Sequence, residues 1–466
     1  MTQSMLSNSH TDTFRTARMT RDKRFDGLFF IAVKTTGIFC RPICPANLPN
    51  EENVEYFTHR QQAMQAGYRP CLRCRPDSAP GSPAWRGVDT TVERALTLLL
   101  AYPDLSVENI ANKLGITSRY LHKLTQQHVG MGPKHYRQYS QVLLAKQLLH
   151  QTRLSVEHIA HSVGFSSSRR LQAQMKSVTQ LTPTQIRRNH EENRSDAIEL
   201  MLHYRAPYDW PALRDFMALR AIKPIEEVTD NSYARYFQLD YDPAKNGFFR
   251  ATHLPEKQAF RVEIQVAHMP MLLPVIQHVR RILDLDADPM AIMSKLSASG
   301  VPSNLLTQGL RLPGVWSPFE AGCRAILGQQ VSVTSAINQL QRICLYYNDS
   351  RDGTACAFPT PTQIASISDD LLKMPLARKR ALRAFAECFT NDPHPSPESL
   401  LAIKGIGPWT VNYLRMRGLS QPDMFLGTDL VVSRIQQKLT LNPTKASPWG
   451  SYLTFQLWQI ATQENS

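Results

Sequence analysis

Leu401-Ala402-Ile403-Lys404-Gly405-Ile406-Gly407-Pro408-Trp409-Thr410-Val411-Asn412-Tyr413 is the most informative stretch of this 466-residue chain. Two glycines one residue apart allow a tight turn between two helices. Backbone N–H groups exposed in such a turn hold a phosphate oxygen without a charged side chain. Gly405 and Gly407 are therefore candidate DNA contacts. Alone, the pattern is equally a plain interhelical turn. The next helix leads into Met424-Phe425-Leu426-Gly427-Thr428-Asp429, which places a solitary carboxylate 22 residues beyond Gly407. Asp429 reads as a chemical group facing whatever the hairpin holds, and also as a helix N-cap before Leu430. The two readings do not exclude each other.

Working outward, 42% hydrophobic and 20% charged residues are ordinary for globular protein. The length suggests three or four domains. No run of 18 apolar residues is present, so no membrane-spanning helix and no membrane partner are expected. The first residues, MTQSMLSNSHTDTFRTAR, lack an apolar signal core, so a cytoplasmic location is expected. The net charge of +14 is uneven. Residues 1–190 carry 25 Lys and Arg against 12 Asp and Glu, whereas the rest carries 28 against 27. A basic front on a near-neutral back points to a polyanion, with nucleic acid the default. The glycine hairpin explains how the neutral half could still hold DNA.

Four of the eight cysteines form C-x3-C, a 26-residue gap, then C-x2-C: Cys40, Cys44, Cys71 and Cys74. Close pairs in a chain without a leader read as zinc ligands rather than disulfides. Four thiolates around tetrahedral zinc make a closed site. Cys323, Cys344, Cys356 and Cys388 lack ligand spacing and read as plain thiols. Residues 1–12 are expected to be disordered and residues 76–83 to be a linker. Asn189 to Ser195 is read as a polar joint.

An internal repeat follows the linker. Ser106-Val107-Glu108-Asn109-Ile110-Ala111 recurs 49 residues later as Ser155-Val156-Glu157-His158-Ile159-Ala160. Each copy runs into a glycine, Gly115 or Gly164, and then a second helix start. Helix, glycine turn, helix is helix-turn-helix grammar. Recognition helices are predicted over Ser118–Gln127 and Ser167–Val178. Arg119, His122, Lys123, Arg169, Arg170 and Lys176 are candidates for groove or phosphate contact.

Here two family resemblances enter. Lys34-Thr35-Thr36-Gly37-Ile38-Phe39-Cys40-Arg41-Pro42, then Cys44 and Gly67-Tyr68-Arg69-Pro70-Cys71-Leu72-Arg73-Cys74, resemble the zinc domain of Ada-type alkylation-response proteins. The resemblance implies four cysteine ligands, with Cys40 accepting a methyl group from a DNA phosphotriester. The chemistry is sensible: zinc keeps a thiol deprotonated, and the thiolate is the nucleophile. A tetrathiolate zinc site carries two net negative charges and repels ordinary phosphates, whereas a methylated phosphate is neutral. Alkylation removes one of those charges, so DNA affinity should rise afterwards. Arg41, Arg69, Arg73 and Arg75 suggest a DNA-facing site. Residues 92–188 resemble the AraC-type DNA-binding region, closing on Gly130-Met131-Gly132-Pro133 and Gln180-Leu181-Thr182-Pro183. Gln180 stands where glycine is usual.

The back half resembles AlkA-type 3-methyladenine DNA glycosylases of the helix-hairpin-helix superfamily. The hairpin and Asp429 carry the likeness, with Tyr208-Asp209-Trp210, Arg311-Leu312-Pro313-Gly314 and Arg324-Ala325-Ile326-Leu327-Gly328-Gln329-Gln330-Val331-Ser332. It implies Asp429 as the catalytic carboxylate and an aromatic pocket of Trp409, Tyr413 and Trp458 for cationic bases. It also implies DNA contact at Gln329 and Gln330, with Gln330 as the wedge left in the duplex when a base is flipped out. Bifunctional members place a lysine where Trp409 stands, so a monofunctional enzyme is expected. Pro-Cys-His-Arg, the mark of a second methyltransferase, is absent from the sequence.

The expected architecture is multi-domain, α+β and mainly α. A small zinc α/β domain (13–76) leads to an AraC-type double helix-turn-helix (86–190). A small β-containing subdomain (198–300) leads to the helix-hairpin-helix glycosylase helical domain (301–466). The expected function is DNA alkylation repair and response. The resemblance implies Zn2+ as cofactor, and as partners double-stranded DNA (alkylated bases, methyl phosphotriesters, promoter DNA) and RNA polymerase. The rival is a transcription regulator whose glycosylase half is only a DNA clamp.

Overall fold

A computed structural model describes residues 8–22, 25–77, 88–101, 105–187, 198–348 and 357–464. The chain falls into two compact units, Met1–Arg137 and Gln138–Ser466. The first begins with a helix, Asn8–Thr20. Disorder was expected through residue 12. Residues 1–7 lie outside the described residues, but 8–12 are helical. The sequence there is polar because only one face is covered: Phe14 stacks on Phe29 at 4.2 Å, and the buried Arg18 pairs with Glu51.

Four short strands, β1 (Phe30–Val33), β2 (Ile38–Cys40), β3 (Val54–Phe57) and β4 (Arg69–Pro70), form a sheet of order β3-β1-β2-β4. The parallel register of β2 and β4 pairs Ile38 with Arg69 and Phe39 with Pro70. It thereby brings together the two cysteine pairs, the first starting at the last residue of β2 and the second just after β4. The linker residues 78–83 and the joint 189–195 lie outside the described residues, as does Cys356.

The first helix-turn-helix is Val107–Lys113 and Ser118–Val129, packed on Val88–Ala101 through Ala95, Leu99, Ile110, Ala111 and Leu121. Ser106 caps its first helix by accepting the Asn109 N–H at 3.0 Å, and Ser155 does the same for His158 at 3.0 Å in the second copy. The second copy, Val156–Ser162 and Ser168–Thr179, lies in the other unit. Both recognition helices run about two residues past or one residue inside the expected bounds, the usual uncertainty of helix ends. Gly130 ends the first at φ +82° and Gln180 ends the second at φ +61°. Both are left-handed caps. The unusual glutamine thus adopts the glycine conformation, at a strain of about 1 kcal/mol.

The second unit is built on a five-stranded antiparallel sheet of order β5-β9-β8-β7-β6: β5 (Ile198–His203), β6 (Glu226–Val228), β7 (Ser232–Gln238), β8 (Asn246–Leu254) and β9 (Ala259–Val266). Alternating Ile198, Leu200 and Leu202 turn one face of β5 into a core shared with the helix Leu272–Ile282. That core continues into the second helix-turn-helix through Leu148, Leu149, Ile159 and Leu171. β5 is an edge strand, and its free edge is partnered at Met201. The Met201 N–H donates to Gln151 Oε1 at 3.0 Å, and Gln147 Nε2 donates to the Met201 carbonyl at 3.3 Å. Both glutamines sit on the helix Pro133–Gln151.

The remainder is helical. A buried ion group joins it to the sheet. Arg235 of β7 pairs with Glu226 of β6 at 2.8 Å and with Glu320 of the helix Pro318–Leu327. Arg324 of that helix pairs with Glu226 at 2.6 Å and Glu320 at 2.7 Å. All four side chains are 8% exposed or less. Two cations balance two anions, so the group tolerates burial only as a set. Glu320→Gln should therefore lower the stability of the second unit by about 3–5 kcal/mol. Urea unfolding read at the tryptophans, all but one of which lie in that unit, checks this.

Candidate functional site

A cavity of about 770 Å³ opens in the second unit. The helix Pro408–Gly418 follows the glycine hairpin and sends Trp409 and Tyr413, one turn apart, into it. Their rings stack at 5.2 Å. Trp458, from the helix Gly450–Gln463, sits 6.5 Å from Tyr413. All three expected aromatics therefore line one cavity. Phe216, from the helix Trp210–Ala218, stacks on Trp458 at 6.2 Å and completes the wall. The sequence reading missed it, and also missed Arg220 and Arg434 on the same wall. The spacing of four between Phe216 and Arg220 was the available signal.

Asp429 lines the same cavity and is the N-cap of Leu430–Leu439. Its Oδ1 accepts from the Val431 and Val432 N–H groups at 3.0 and 3.1 Å and from Trp458 Nε1 at 3.2 Å. Its Oδ2 accepts from Trp409 Nε1 at 3.2 Å. Four donors fix the carboxylate in place. Oδ2, with a single donor, keeps a lone pair available. The helix cap and the cavity-lining carboxylate are one side chain.

The hairpin has Gly405 at φ +96° and Gly407 as N-cap of the helix that follows. A side chain at Gly405 would be strained by its backbone and would crowd Ala381 at 3.1 Å. Gln329 Nε2 donates to the Gly405 carbonyl at 3.2 Å and to Thr410 Oγ1 at 3.4 Å. That makes Gln329 a brace for the hairpin. Gln330 is exposed at the cavity mouth with φ +57°, a left-handed backbone that only a few non-glycine residues adopt.

In the first unit, the Sγ atoms of Cys40, Cys44, Cys71 and Cys74 all lie within 4.8 Å of one another, and Cys44 and Cys71 are 3.9 Å apart. Zinc–sulfur bonds of about 2.3 Å in a tetrahedron put sulfurs about 3.8 Å apart, so the set fits zinc. The Arg41 N–H donates to Cys74 Sγ at 3.4 Å, a hydrogen bond suited to a thiolate. The hydrogen bond between Cys40 and Cys44 holds the Cys44 thiol below the ordinary range and pushes Cys40 up. Cys40 is the least buried of the four. The Arg41 side chain departs from expectation. It is 4% exposed, paired with Asp26, and donates to the Cys74 carbonyl at 3.1 Å. It is a brace of the cysteine loop, while Arg69, Arg73 and Arg75 are exposed.

Arg119, His122 and Lys123 are exposed on Ser118–Val129, and Arg169, Arg170 and Lys176 are exposed on Ser168–Thr179. The buried faces of those helices are apolar, Leu121 and Leu124 in one and Leu171 and Met175 in the other. Cys323 and Cys344 are buried and Cys388 is half-buried. Among the described residues only the first four cysteines, with no other His, Cys, Asp or Glu group, form a cluster able to hold a metal ion. Among these residues no helix is long and apolar enough to cross a membrane.

A metal-binding thiol module, a duplicated helix-turn-helix and a carboxylate-bearing helix-hairpin-helix cavity define a multidomain protein of the helix-hairpin-helix class. Family models match residues 13–77 as the metal binding domain of Ada, 110–189 as a helix-turn-helix domain and 199–317 as the AlkA N-terminal domain. A Mycobacterium tuberculosis protein named "Probable bifunctional transcriptional activator/DNA repair enzyme AlkA" is 32% identical over 96% of this chain and 96% of its own length. The chain belongs to that family of bifunctional AlkA proteins. DNA-3-methyladenine glycosylase 2 of Escherichia coli is 30% identical over 55% of this chain and 95% of its own. The bifunctional activator and repair enzyme Ada of the same organism is 37% identical over 26% of this chain and 33% of its own.

The thiol cluster predicts one zinc ion per chain by elemental analysis. Cys74→Ala should lose most of it, and chelation should lower the melting temperature of the first unit.

Proposed function

We propose that this protein repairs alkylated DNA and regulates the response to it, working in the cytoplasm. Its back half is a monofunctional glycosylase that hydrolyses the N-glycosidic bond of 3-methyladenine and 7-methylguanine. The observation that carries this reading is Asp429, fixed in an aromatic cavity by two indole N–H groups and its own helix. Four domains divide the labour: 13–76 accepts methyl groups, 86–190 grips promoter DNA, and 198–300 with 301–466 form the excision enzyme. RNA polymerase is the partner of the regulatory step.

Bond breaking builds positive charge on the sugar, and the Asp429 carboxylate stabilises it electrostatically. Oδ2, with its open lone pair, is the oxygen placed to orient an attacking water. The faces of Trp409, Tyr413 and Trp458 attract a cationic base by about 0.5–2 kcal/mol each. Gly405 and Gly407 hold the backbone phosphate, and Gln330 fills the space the flipped nucleotide vacates. Trp409 offers no amine, so no Schiff base forms and the abasic strand stays intact.

Cys40, Cys44, Cys71 and Cys74 would hold zinc, which when bound keeps the thiols ionised at neutral pH. Cys40 attacks the methyl carbon of a phosphotriester. An S–C bond forms, the O–CH3 bond breaks, and the phosphodiester anion leaves. Its greater exposure than the other three suits this role.

Wild-type protein should produce alkali-labile breaks, and none before alkali, in duplex DNA carrying 7-methylguanine. Asp429→Asn should be slower by about 100-fold or more. No breaks from wild type on this or a 3-methyladenine substrate would favour the clamp reading. In the front half, incubation with DNA bearing methyl phosphotriesters should leave one methyl group on Cys40 by peptide mass spectrometry. DNA affinity should then rise, with a changed salt dependence.

A further inference from the structure

We propose that Arg220 is a specificity-determining residue of the base pocket: its guanidinium donates to an acceptor atom of the extruded base and stabilises negative charge on that base as it leaves. This rests on the glycosylase reading above. Arg220 lines the same cavity as Asp429 and the aromatic rings. Its guanidinium carbon lies 3.7 Å from the centroid of Phe216, so it lies flat on the aromatic wall.

Arg434 also lines the cavity but is exposed to solvent, whereas Arg220 is half-buried. Arg324 and Arg417 are engaged elsewhere. Arg324 pairs with Glu226 and Glu320. Arg417 donates to the Pro313 carbonyl at 2.5 Å and to the Tyr413 hydroxyl at 3.2 Å. Arg220 makes one long hydrogen bond, 3.4 Å from Nη1 to the Phe216 carbonyl, and among the described residues no carboxylate pairs with it. An arginine has five N–H donors, so most of this one's remain available to a ligand. Its backbone is held independently, since the Arg220 carbonyl accepts from Arg324 Nη1 at 2.7 Å. Desolvation lowers its pKa to about 10, which leaves it protonated at neutral pH.

Glycosidic cleavage sends the bonding electron pair to the base. 7-Methylguanine is cationic in DNA and leaves neutral. Hypoxanthine is neutral in DNA and leaves as an anion unless donors or a proton neutralise it. A fixed guanidinium opposes the first base in the ground state and assists the departure of the second. Arg220 therefore sets the balance between two chemical classes of substrate, and the aromatic rings alone would favour the cationic one.

The test compares single-turnover release of hypoxanthine and of 7-methylguanine from otherwise identical duplexes by wild type, Arg220→Met and Arg220→Lys. The expected result is a fall in hypoxanthine release by Arg220→Met at least tenfold larger than any fall in 7-methylguanine release. Arg220→Lys should recover part of that difference. Equal losses on both substrates would assign Arg220 a structural role and overturn the proposal. So would an unchanged ratio, or a wild-type enzyme that releases 7-methylguanine but no hypoxanthine. A wild-type enzyme that releases neither base would instead overturn the glycosylase reading.

Discussion

Two carboxylates and two guanidiniums buried together, Glu226, Glu320, Arg235 and Arg324, tie the sheet of the second unit to its helices. Each ion alone would cost several kcal/mol to bury, and only the mutual pairing offsets this. The group also reaches the cavity. Arg324 spends one further donor on the backbone of Arg220, and its helix ends just before Gln329 and Gln330. The hairpin brace, the cavity mouth and the Phe216 wall are therefore referenced to one ionic anchor. Burial holds its four members in a fixed stoichiometry, so a conservative change at any one of them is not conservative.

Much of this molecule was legible because its chemistry is encoded in short segments. Cys40, Cys44, Cys71 and Cys74 announce a metal site through spacing alone, and β2 and β4 bring them together. The repeated Ser-Val-Glu helix starts announce two helix-turn-helix units, and both serines cap as expected. The hairpin and Asp429 are close in sequence as well as in space. What was illegible depends on distance along the chain. Phe216 and Arg220 enter the cavity from roughly two hundred residues upstream, Phe216 on a helix whose pattern reads as ordinary amphipathic packing and Arg220 in the turn just after it. The Arg235–Glu320 pair spans 85 residues. Arg41 was misread because arginine beside a metal ligand has the same letter whether it faces DNA or braces the loop. The helix at residue 8 was missed because its buried side rests on only a few contacts, Phe14 and Arg18 among them.

The indoles around Asp429 show how one residue type serves two purposes. Each ring supplies an apolar, electron-rich face to the cavity, and each N–H supplies a donor at its edge. Trp409 and Trp458 spend those donors on the two oxygens of the same carboxylate. The rings that would hold a base and the oxygen that would answer its departure are thus a single rigid assembly. Reading such tryptophans only as packing, or only as stacking platforms, captures half of what they do.

The two glutamines that cover β5 bear on the order of synthesis. Gln147 and Gln151 lie on a helix translated some fifty residues before Met201, whose backbone they occupy. On the ribosome the guard of the strand edge exists before the edge itself. An apolar strand with open N–H and C=O groups is a template for neighbouring chains while it waits. In the folded chain that exposed edge meets a helix of its own chain at Met201. Chain order thus places the two side chains that satisfy Met201 ahead of the strand they satisfy.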